Sequence, residues 1–123
     1  MTIDSNIVIA YLEGEQKVVD QLSDWKQSGR PLFLSTIAEA EVLGYPDYTA
    51  EERDRTAHFI SDNFVQVLCD RAIAYRAGVL RGTVNIKLPD AIIAATALST
   101  GTPLVTRNTK DFKNVPGLEI ISL

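Results

Sequence analysis

Short apolar runs alternate with segments of helical periodicity along this chain, and this alternation restricts the possible folds more than any other feature. Strands that alternate with helical segments are typical of α/β domains built on a parallel sheet. No repeat, low-complexity tract or linker interrupts the pattern, and 123 residues is the usual length of one domain. The sequence therefore predicts a single α/β domain spanning residues 1–123, with a central and mainly parallel sheet.

The strands are predicted from apolar composition and the helices from the spacing of apolar residues. The run 64–68 has the composition of a buried strand, and the last two strands are joined by a predicted polar loop that contains Asp111 and Phe112. The strands are predicted at 2–3, 32–34, 64–68, 103–106 and 118–121. The helices are predicted at 5–12, 15–28, 36–43, from a capping box of Thr49 and Glu52 onward, between Asp70 and Gly82, and at 90–99.

The segment 90–99 is nearly apolar on every face of the helix that it would form. Pro89 suits the first turn of this helix, because the N–H group that proline lacks would be unpaired there. A helix without a polar face must be packed against other elements on most of its sides. We therefore expect this helix to be largely covered, with Asp90 at its start.

Four of the sixteen acidic residues lie close to the ends of strands or at the start of this apolar helix. Asp4 ends the first strand, Glu41 lies on the helix after the second, Asp90 starts the apolar helix, and Asp111 follows the strand that ends at Thr106. Ligand sites of open parallel sheets form in the crevice beyond the carboxyl ends of the strands. We expect Asp4, Glu41 and Asp111 to converge there, and Asp90 to join them if its helix starts at the same edge.

Each acid also has an ordinary structural interpretation. Asp4 could simply cap a helix, Asp90 could be a favourable charge in a first helical turn, and Asp111 could be loop surface. Glu41 is harder to explain in this way, because it shares one side of its helix with Ile37. A carboxylate beside packed apolar groups is costly or becomes protonated unless a cation or hydrogen-bond donors offset it.

Several carboxylates in one place need a positive charge between them at neutral pH. Oxygen ligands without clustered histidine or cysteine favour Mg²⁺ or Mn²⁺ over zinc, and such a site supports phosphodiester hydrolysis. The net charge of −4 argues against binding of nucleic acid by bulk electrostatics, but setting the four acids aside leaves twelve acids against twelve bases. Arg107, Lys110 and Lys113 lie near Asp111 and either position a phosphate backbone or form a solvated basic loop.

Other chemistries lack the residues that they need. His58 is the only histidine and lies on a charged helix, so a Ser/His/Asp or Cys/His hydrolase has no credible base. Cys69 is the only cysteine and cannot form an internal disulfide, and no export signal is recognisable, so a cytoplasmic location is expected. No apolar stretch is long enough for a membrane span, and no glycine-rich phosphate loop is present.

Four blocks of the sequence, in order and at suitable spacing, resemble PIN-domain proteins of the VapC type, the toxins of bacterial type II toxin–antitoxin pairs. The blocks are DSNIVIAYL at 4–12, STIAEAEVLG at 35–44, LPDAIIAATA at 88–97 and LVTRNTKDF at 104–112. The resemblance covers nearly the whole chain. It implies a PIN-like three-layer α/β/α fold and a Mg²⁺- or Mn²⁺-dependent endoribonuclease.

The resemblance also implies roles for particular residues. Asp4, Glu41 and Asp90 match the acidic core of the family, with Asp4 and Asp90 as direct metal ligands and Glu41 as a direct or water-mediated one. The fourth acid varies in position among similar proteins, and Asp111 is the expected choice here. The supporting polar residues are expected to be Ser5, Asn6, Thr106 and Asn108. The expected contacts to the RNA backbone are Arg107 and Lys110.

Similar proteins form homodimers and are blocked by a cognate antitoxin whose tail lies in a groove made by the early helices. In this chain those helices carry Leu22, Trp25, Leu43 and Tyr45, which are the residues expected to line such a groove. The RNA target of the protein is not readable from its sequence.

Two other functions remain open at this stage. A receiver domain has a similar length and an acidic, magnesium-binding pocket, but it carries adjacent acids after its first strand, whereas Asp4 is followed by Ser5 and Asn6. A PIN fold with a silent site would bind RNA or protein without cleaving anything. The presence of all four acids argues against that second alternative.

Overall fold

The computed structural model describes all 123 residues, and five short strands form its centre. The strands are β1 (Thr2–Ile3), β2 (Phe33–Ser35), β3 (Val65–Val67), β4 (Leu104–Thr106) and β5 (Ile120–Ser122). They pair in the order β3-β2-β1-β4-β5, and every pairing is parallel. The prediction of an α/β fold with a parallel sheet is confirmed.

Seven helices connect and flank the strands. They are α1 (Ser5–Leu12), α2 (Gln16–Gln27), α3 (Thr36–Leu43), α4 (Ala50–Asn63), α5 (Arg71–Thr83), α6 (Leu88–Thr100) and α7 (Thr109–Phe112). The chain builds the sheet outward from β1 in one direction through β2 and β3, and then returns to add β4 and β5 on the other side. Because crossovers between parallel strands are right-handed, this reversal places the two groups of helices on opposite faces, as in a three-layer α/β/α domain.

The reversal of direction has a consequence for ligand binding. The two strands that flank the reversal are β1 and β4, which pair through Thr2 with Leu104 and through Ile3 with Val105. Loops that leave two such strands move apart to opposite faces of the sheet, which opens a crevice at the carboxyl edge between them. Asp4 and Arg107 are the first residues beyond these two strands.

The apolar helix α6 is covered on most sides, as predicted. It packs against α5, α3, α7 and the sheet, and the side chains of Ala91 and of residues 93–97 are buried. Its carboxyl end lies at the amino edge of the sheet, where the hydroxyls of Thr100 and Thr2 are 3.1 Å apart. A helix of thirteen residues is about 20 Å long, so its first turn, which contains Asp90, reaches the opposite edge.

Two local predictions are wrong. The predicted polar loop around Asp111 contains the short helix α7, whose turn is closed by a hydrogen bond from Asp111 N to Asn108 O (3.0 Å) and anchored by the buried Phe112. The run 64–68 is not a buried strand, because β3 lies at the edge of the sheet and leaves Val65 and Leu68 exposed. None of the helices has the length and apolar character needed to cross a bilayer.

Candidate active site

Asp4 lies at the centre of the crevice between β1 and β4. It follows β1 directly, caps the amino end of α1, and is only 3% exposed. Its carboxylate accepts hydrogen bonds from Ser5 N (2.8 Å) and from Thr106 Oγ1 (2.7 Å). The capping role expected for an ordinary aspartate is therefore present, but capping alone does not explain why this carboxylate is buried at the sheet edge.

A small polar network joins the ends of β1 and β4 around Asp4. Thr106 is fully buried; its hydroxyl donates to Asp4 Oδ2 and accepts from Asn108 N (3.0 Å). Asn6 contributes Nδ2, which lies 3.4 Å from both Asp4 Oδ2 and Thr106 Oγ1, while its Oδ1 accepts from Arg107 N (3.3 Å). These contacts hold the Asp4 side chain in one orientation.

The pKa of Asp4 is raised above its ordinary value, mainly because burial disfavours the charged form. The hydrogen bonds from Thr106 and Ser5 act in the opposite direction, since they favour the carboxylate. The negative charge of Asp111 raises the pKa of Asp4 further.

Glu41 and Asp90 have raised pKa values for the same reasons. For Glu41 the largest cause is partial burial, followed by the charges of Asp4 and Asp90, while the nearby Ser5 hydroxyl lowers its pKa. For Asp90 the largest cause of the raised pKa is again partial burial, followed by the charges of Asp4 and Asp111, while the charge of Lys87 lowers its pKa. The charges that raise these pKa values belong to Asp4, Asp90 and Asp111, so the structure brings these three acids and Glu41 close together at one edge of the sheet.

The donor set fits a hard divalent cation. All four side chains offer oxygen, which is the ligand type of Mg²⁺ and Mn²⁺, and none of them is in an ion pair, because the only salt bridge of the chain joins Arg107 to Glu15. No three of the side chains lie in an arrangement that would hold an ion as they stand. Side-chain rotation at the exposed Glu41 and Asp111 would have to complete such a site, around a fixed Asp4.

The predicted basic contacts differ in their availability. Arg107 is bound to Glu15 and also donates from Nε to the carbonyl of Leu123 (3.2 Å). Lys110 makes no such contact and lies on a cavity wall together with Asp90 and Asp111. The Asn108 side chain makes no capping hydrogen bond and is exposed at the start of α7.

An apolar groove of about 550 Å³ lies beside Glu41, but of the four residues expected to line it only Tyr45 does so. Leu43 is partly buried against the core instead. Leu22 and Trp25 are buried in the core, because they lie on the stripe of the amphipathic α2 that packs inward. The groove instead lies between α1 and the end of α3. Its apolar lining is formed by Ile9, Leu12, Val42, Tyr45, Pro46 and Tyr48.

One charged residue near the acids was not singled out from the sequence. Lys87 precedes α6 at its N-cap position and lowers the pKa of Asp90 through its charge. Its position three residues before Asp90 in the chain was a signal that could have identified it.

Comparison with known proteins places these features in a family. The family model for the PIN domain matches residues 1–118. A curated relative, "Ribonuclease VapC" from Rickettsia bellii, is 27% identical over 133 aligned positions, covering 100% of this chain and 96% of the relative. A second one, "Ribonuclease VapC1" from Rickettsia felis, matches to the same extent.

Solved structures agree in fold over the whole chain. A chain of a toxin–antitoxin complex from Klebsiella pneumoniae is 35% identical with a TM-score of 0.80, over 98% of this chain and 94% of that one. VapBC2 from Rickettsia felis, bound to a DNA fragment of its promoter, has a TM-score of 0.84 at 20% identity, over 99% and 97% of the two chains. From the family match, the parallel sheet and the acids at its edge, it follows that this chain belongs to the PIN-domain family.

Proposed function

We propose that this protein is a Mg²⁺- or Mn²⁺-dependent endoribonuclease and the toxin of a toxin–antitoxin pair. The observation that carries the proposal is the cluster of Asp4, Glu41, Asp90 and Asp111, whose charges interact at the crevice of a PIN fold. The names of the relatives support RNA as the substrate. We further propose that residues 1–123 act as one PIN domain, in the cytoplasm.

In the proposed site, Asp4 and Asp90 bind the ion directly, Glu41 binds it directly or through water, and Asp111 completes the shell or holds a second ion. A bound divalent ion supplies a water of lowered pKa and neutralises charge on the phosphoryl group. The Thr106 hydroxyl and Ser5 N fix the orientation of the Asp4 carboxylate and favour its charged form. A bound ion would also offset the mutual repulsion among the acids.

RNA contacts are proposed for the basic residues beside the acids. Lys110 has no partner within the chain and is free to bind a backbone phosphate. Arg107 would exchange its contact with Glu15 for a phosphate, and the Asn108 amide would add a polar contact or hold a water.

An antitoxin is the proposed protein partner. Two copies of this chain are also proposed to form a homodimer. The solved relatives of similar fold include VapBC from Salmonella typhimurium and VapBC-1 from Haemophilus influenzae. The apolar groove beside Glu41 could receive a segment of such a partner, since Ile9 and Tyr45 are 43% and 53% exposed there. A segment in this groove would lie next to the acids and hinder access to them.

The test is metal-dependent cleavage of a structured RNA by the purified protein. Asp4→Asn and Asp90→Asn should each reduce cleavage by more than about 100-fold, because even indirect supports of a metal site contribute 10- to 100-fold. Asp70→Asn is a matched control, since Asp70 also caps a helix, where its carboxylate accepts a hydrogen bond from Ile73 N, but it is not one of the clustered acids. EDTA should abolish the activity of the unmodified protein.

Full activity of either site variant, or activity in EDTA, would overturn the proposal. No cleavage by the unmodified protein, combined with RNA binding, would favour the silent PIN module instead. The receiver-domain alternative is set aside, because the chain belongs to the PIN family.

A further inference from the structure

A cavity of about 320 Å³ opens beside Asp90 and Asp111, and most of its polar lining has no role in the proposed chemistry. One wall is the connection between α5 and α6, with Asn85 and Lys87. The other wall is α7 and the residues after it, which provide Lys110, Lys113 and Asn114. We call this space the lysine cavity.

Buried anchors hold both walls of the lysine cavity in place. Ile86 is 9% exposed, and its carbonyl accepts a hydrogen bond from Arg81 Nη1 (3.4 Å), so the backbone on either side of it is fixed. On the opposite wall, Phe112 and Val115 are 1% and 6% exposed and flank Lys113 and Asn114. Lys87 and Lys113 therefore extend from backbone segments that are anchored in the core, although both lysine side chains are themselves exposed.

The charges of the lysine cavity favour an anion. Three lysines and two acids line it, and none of the lysines forms a salt bridge. The Lys87 ammonium is nevertheless close enough to lower the pKa of Asp90. With three lysines against two acids, the lining carries an excess of positive charge even when no cation is bound to the acids.

We propose that the lysine cavity is a subsite for one nucleotide of the RNA substrate, next to the cleaved bond, with Lys87 and Lys113 holding its phosphate. This inference rests on the proposed function. The volume is at the lower end of small-ligand pockets, which suits a single nucleotide, and lysine is a regular ligand of backbone phosphates. Asn85 and Asn114 offer amides to the sugar or base of the same nucleotide.

The test measures binding separately from cleavage. All variants carry Asp4→Asn, so that cleavage does not interfere, and a fluorescein-labelled single-stranded RNA of mixed sequence is titrated by anisotropy at several salt concentrations. Lys87→Ala and Lys113→Ala should each weaken binding about fivefold at low salt and lower the slope of log K against log salt by about 0.7. Lys17→Ala on α2 is the matched control, because Lys17 is also exposed and unpaired but lies outside the cavity.

Every outcome decides the proposal. A loss at Lys87 and Lys113 but not at Lys17 supports the subsite. Equal effects at all three positions would show only a general electrostatic attraction, and no effect at Lys87 and Lys113, or no RNA binding by the parent protein, overturns it. Cleavage by the protein with Asp4 intact is assayed in parallel. If this protein cleaves RNA but the lysine substitutions do not weaken binding, only the subsite proposal is refuted. If the lysine substitutions weaken binding but the protein does not cleave RNA, only the nuclease proposal is refuted.

Discussion

Replacing Thr106 with valine would remove the hydroxyl that supports Asp4 while keeping nearly the same buried shape. The hydroxyl donates to the Asp4 carboxylate at 2.7 Å, and a hydrogen bond to a charged group contributes about 1.5–3 kcal/mol. It also accepts from Asn108 N, and loss of that half-buried bond adds about 1 kcal/mol. We therefore expect Thr106→Val to lower the free energy of unfolding at neutral pH by roughly 2.5–4 kcal/mol.

Thr106→Ser is the matched control, because serine keeps the hydroxyl and loses only a buried methyl group. That loss should cost about 1 kcal/mol. For a domain of 123 residues, 1 kcal/mol corresponds to a shift of about 4 °C in Tm. Thermal unfolding should therefore place the serine variant about 4 °C and the valine variant about 10–16 °C below the unmodified protein.

The cost of the valine should depend on pH, with a sign that follows from Asp4. The folded-state pKa of Asp4 is already raised, and losing the Thr106 hydrogen bond raises it further. A raised carboxyl pKa destabilises the fold fully above that pKa, and the effect disappears as the pH falls below the ordinary value of 3.8. Denaturant titrations at neutral pH and near pH 4 should show the difference between the two variants shrinking.

A double-mutant cycle with Asp4→Asn isolates the charged hydrogen bond. In that background Thr106→Val should cost only what a neutral hydrogen bond contributes, about 0.5–1.5 kcal/mol for the Asp4 contact. Three results would each refute the view that Thr106 supports a buried carboxylate. The loss of unfolding free energy caused by Thr106→Val could equal that caused by Thr106→Ser, it could be independent of pH, or it could be unaffected by Asp4→Asn.

Three further predictions concern the acids and the groove. Asp4→Asn and Asp90→Asn should each raise the free energy of unfolding of the metal-free protein at neutral pH, because they remove carboxylates with raised pKa values. In denaturant titrations this gain in stability should vanish below pH 3.8, the ordinary pKa of the carboxyl group, and a gain that persists there would contradict the prediction. Mg²⁺ at one hundred times its Kd should stabilise the unmodified protein by about 2.7 kcal/mol in thermal unfolding but leave Asp4→Asn unchanged, and equal shifts would exclude a site at Asp4. Trp25→Ala should cost about 3–5 kcal/mol and Tyr45→Ala less than about 1 kcal/mol, and similar losses in chemical denaturation would contradict the assignment of one to the core and the other to the groove.

The sequence predicted the elements better than their environments, because periodicity is a local property. Helix α6 was expected from its apolar residues alone, yet whether Asp90 joined the other acids depended on the edge at which the helix starts. The hydrogen-bonded pair Thr2 and Thr100, far apart in the chain, determines that edge. Helix α7 has only four residues, too few to give a periodic signal in the sequence. Composition also does not reveal which strand lies at an edge, so it could not show that β3 does.

The candidate site was predictable as a set of residues but not as an arrangement. Asp4, Glu41, Asp90 and Asp111 were identified from their positions relative to strands and helices, and the structure brings their charges together. The groove was misassigned, since the stripe of α2 shows that one face is buried but not what covers it. The lysine cavity could not be anticipated, because its two walls come from segments that only the packing of α6 and α7 brings side by side.

The position of Asp4 links the stability of this fold to the proposed chemistry. The reversal of strand order puts the first residue after β1 in a crevice from which water is largely excluded, so an aspartate there is destabilising in its charged form. Helix capping and the Thr106 hydroxyl offset part of that cost without neutralising the charge. The remaining unfavourable energy is relieved either by a proton or by a cation, and these two compete for the same oxygens. Acidification should therefore weaken ion binding over the same pH range in which it relieves the repulsion among the acids, because the proton that removes the charge of a carboxylate also removes a ligand of the ion.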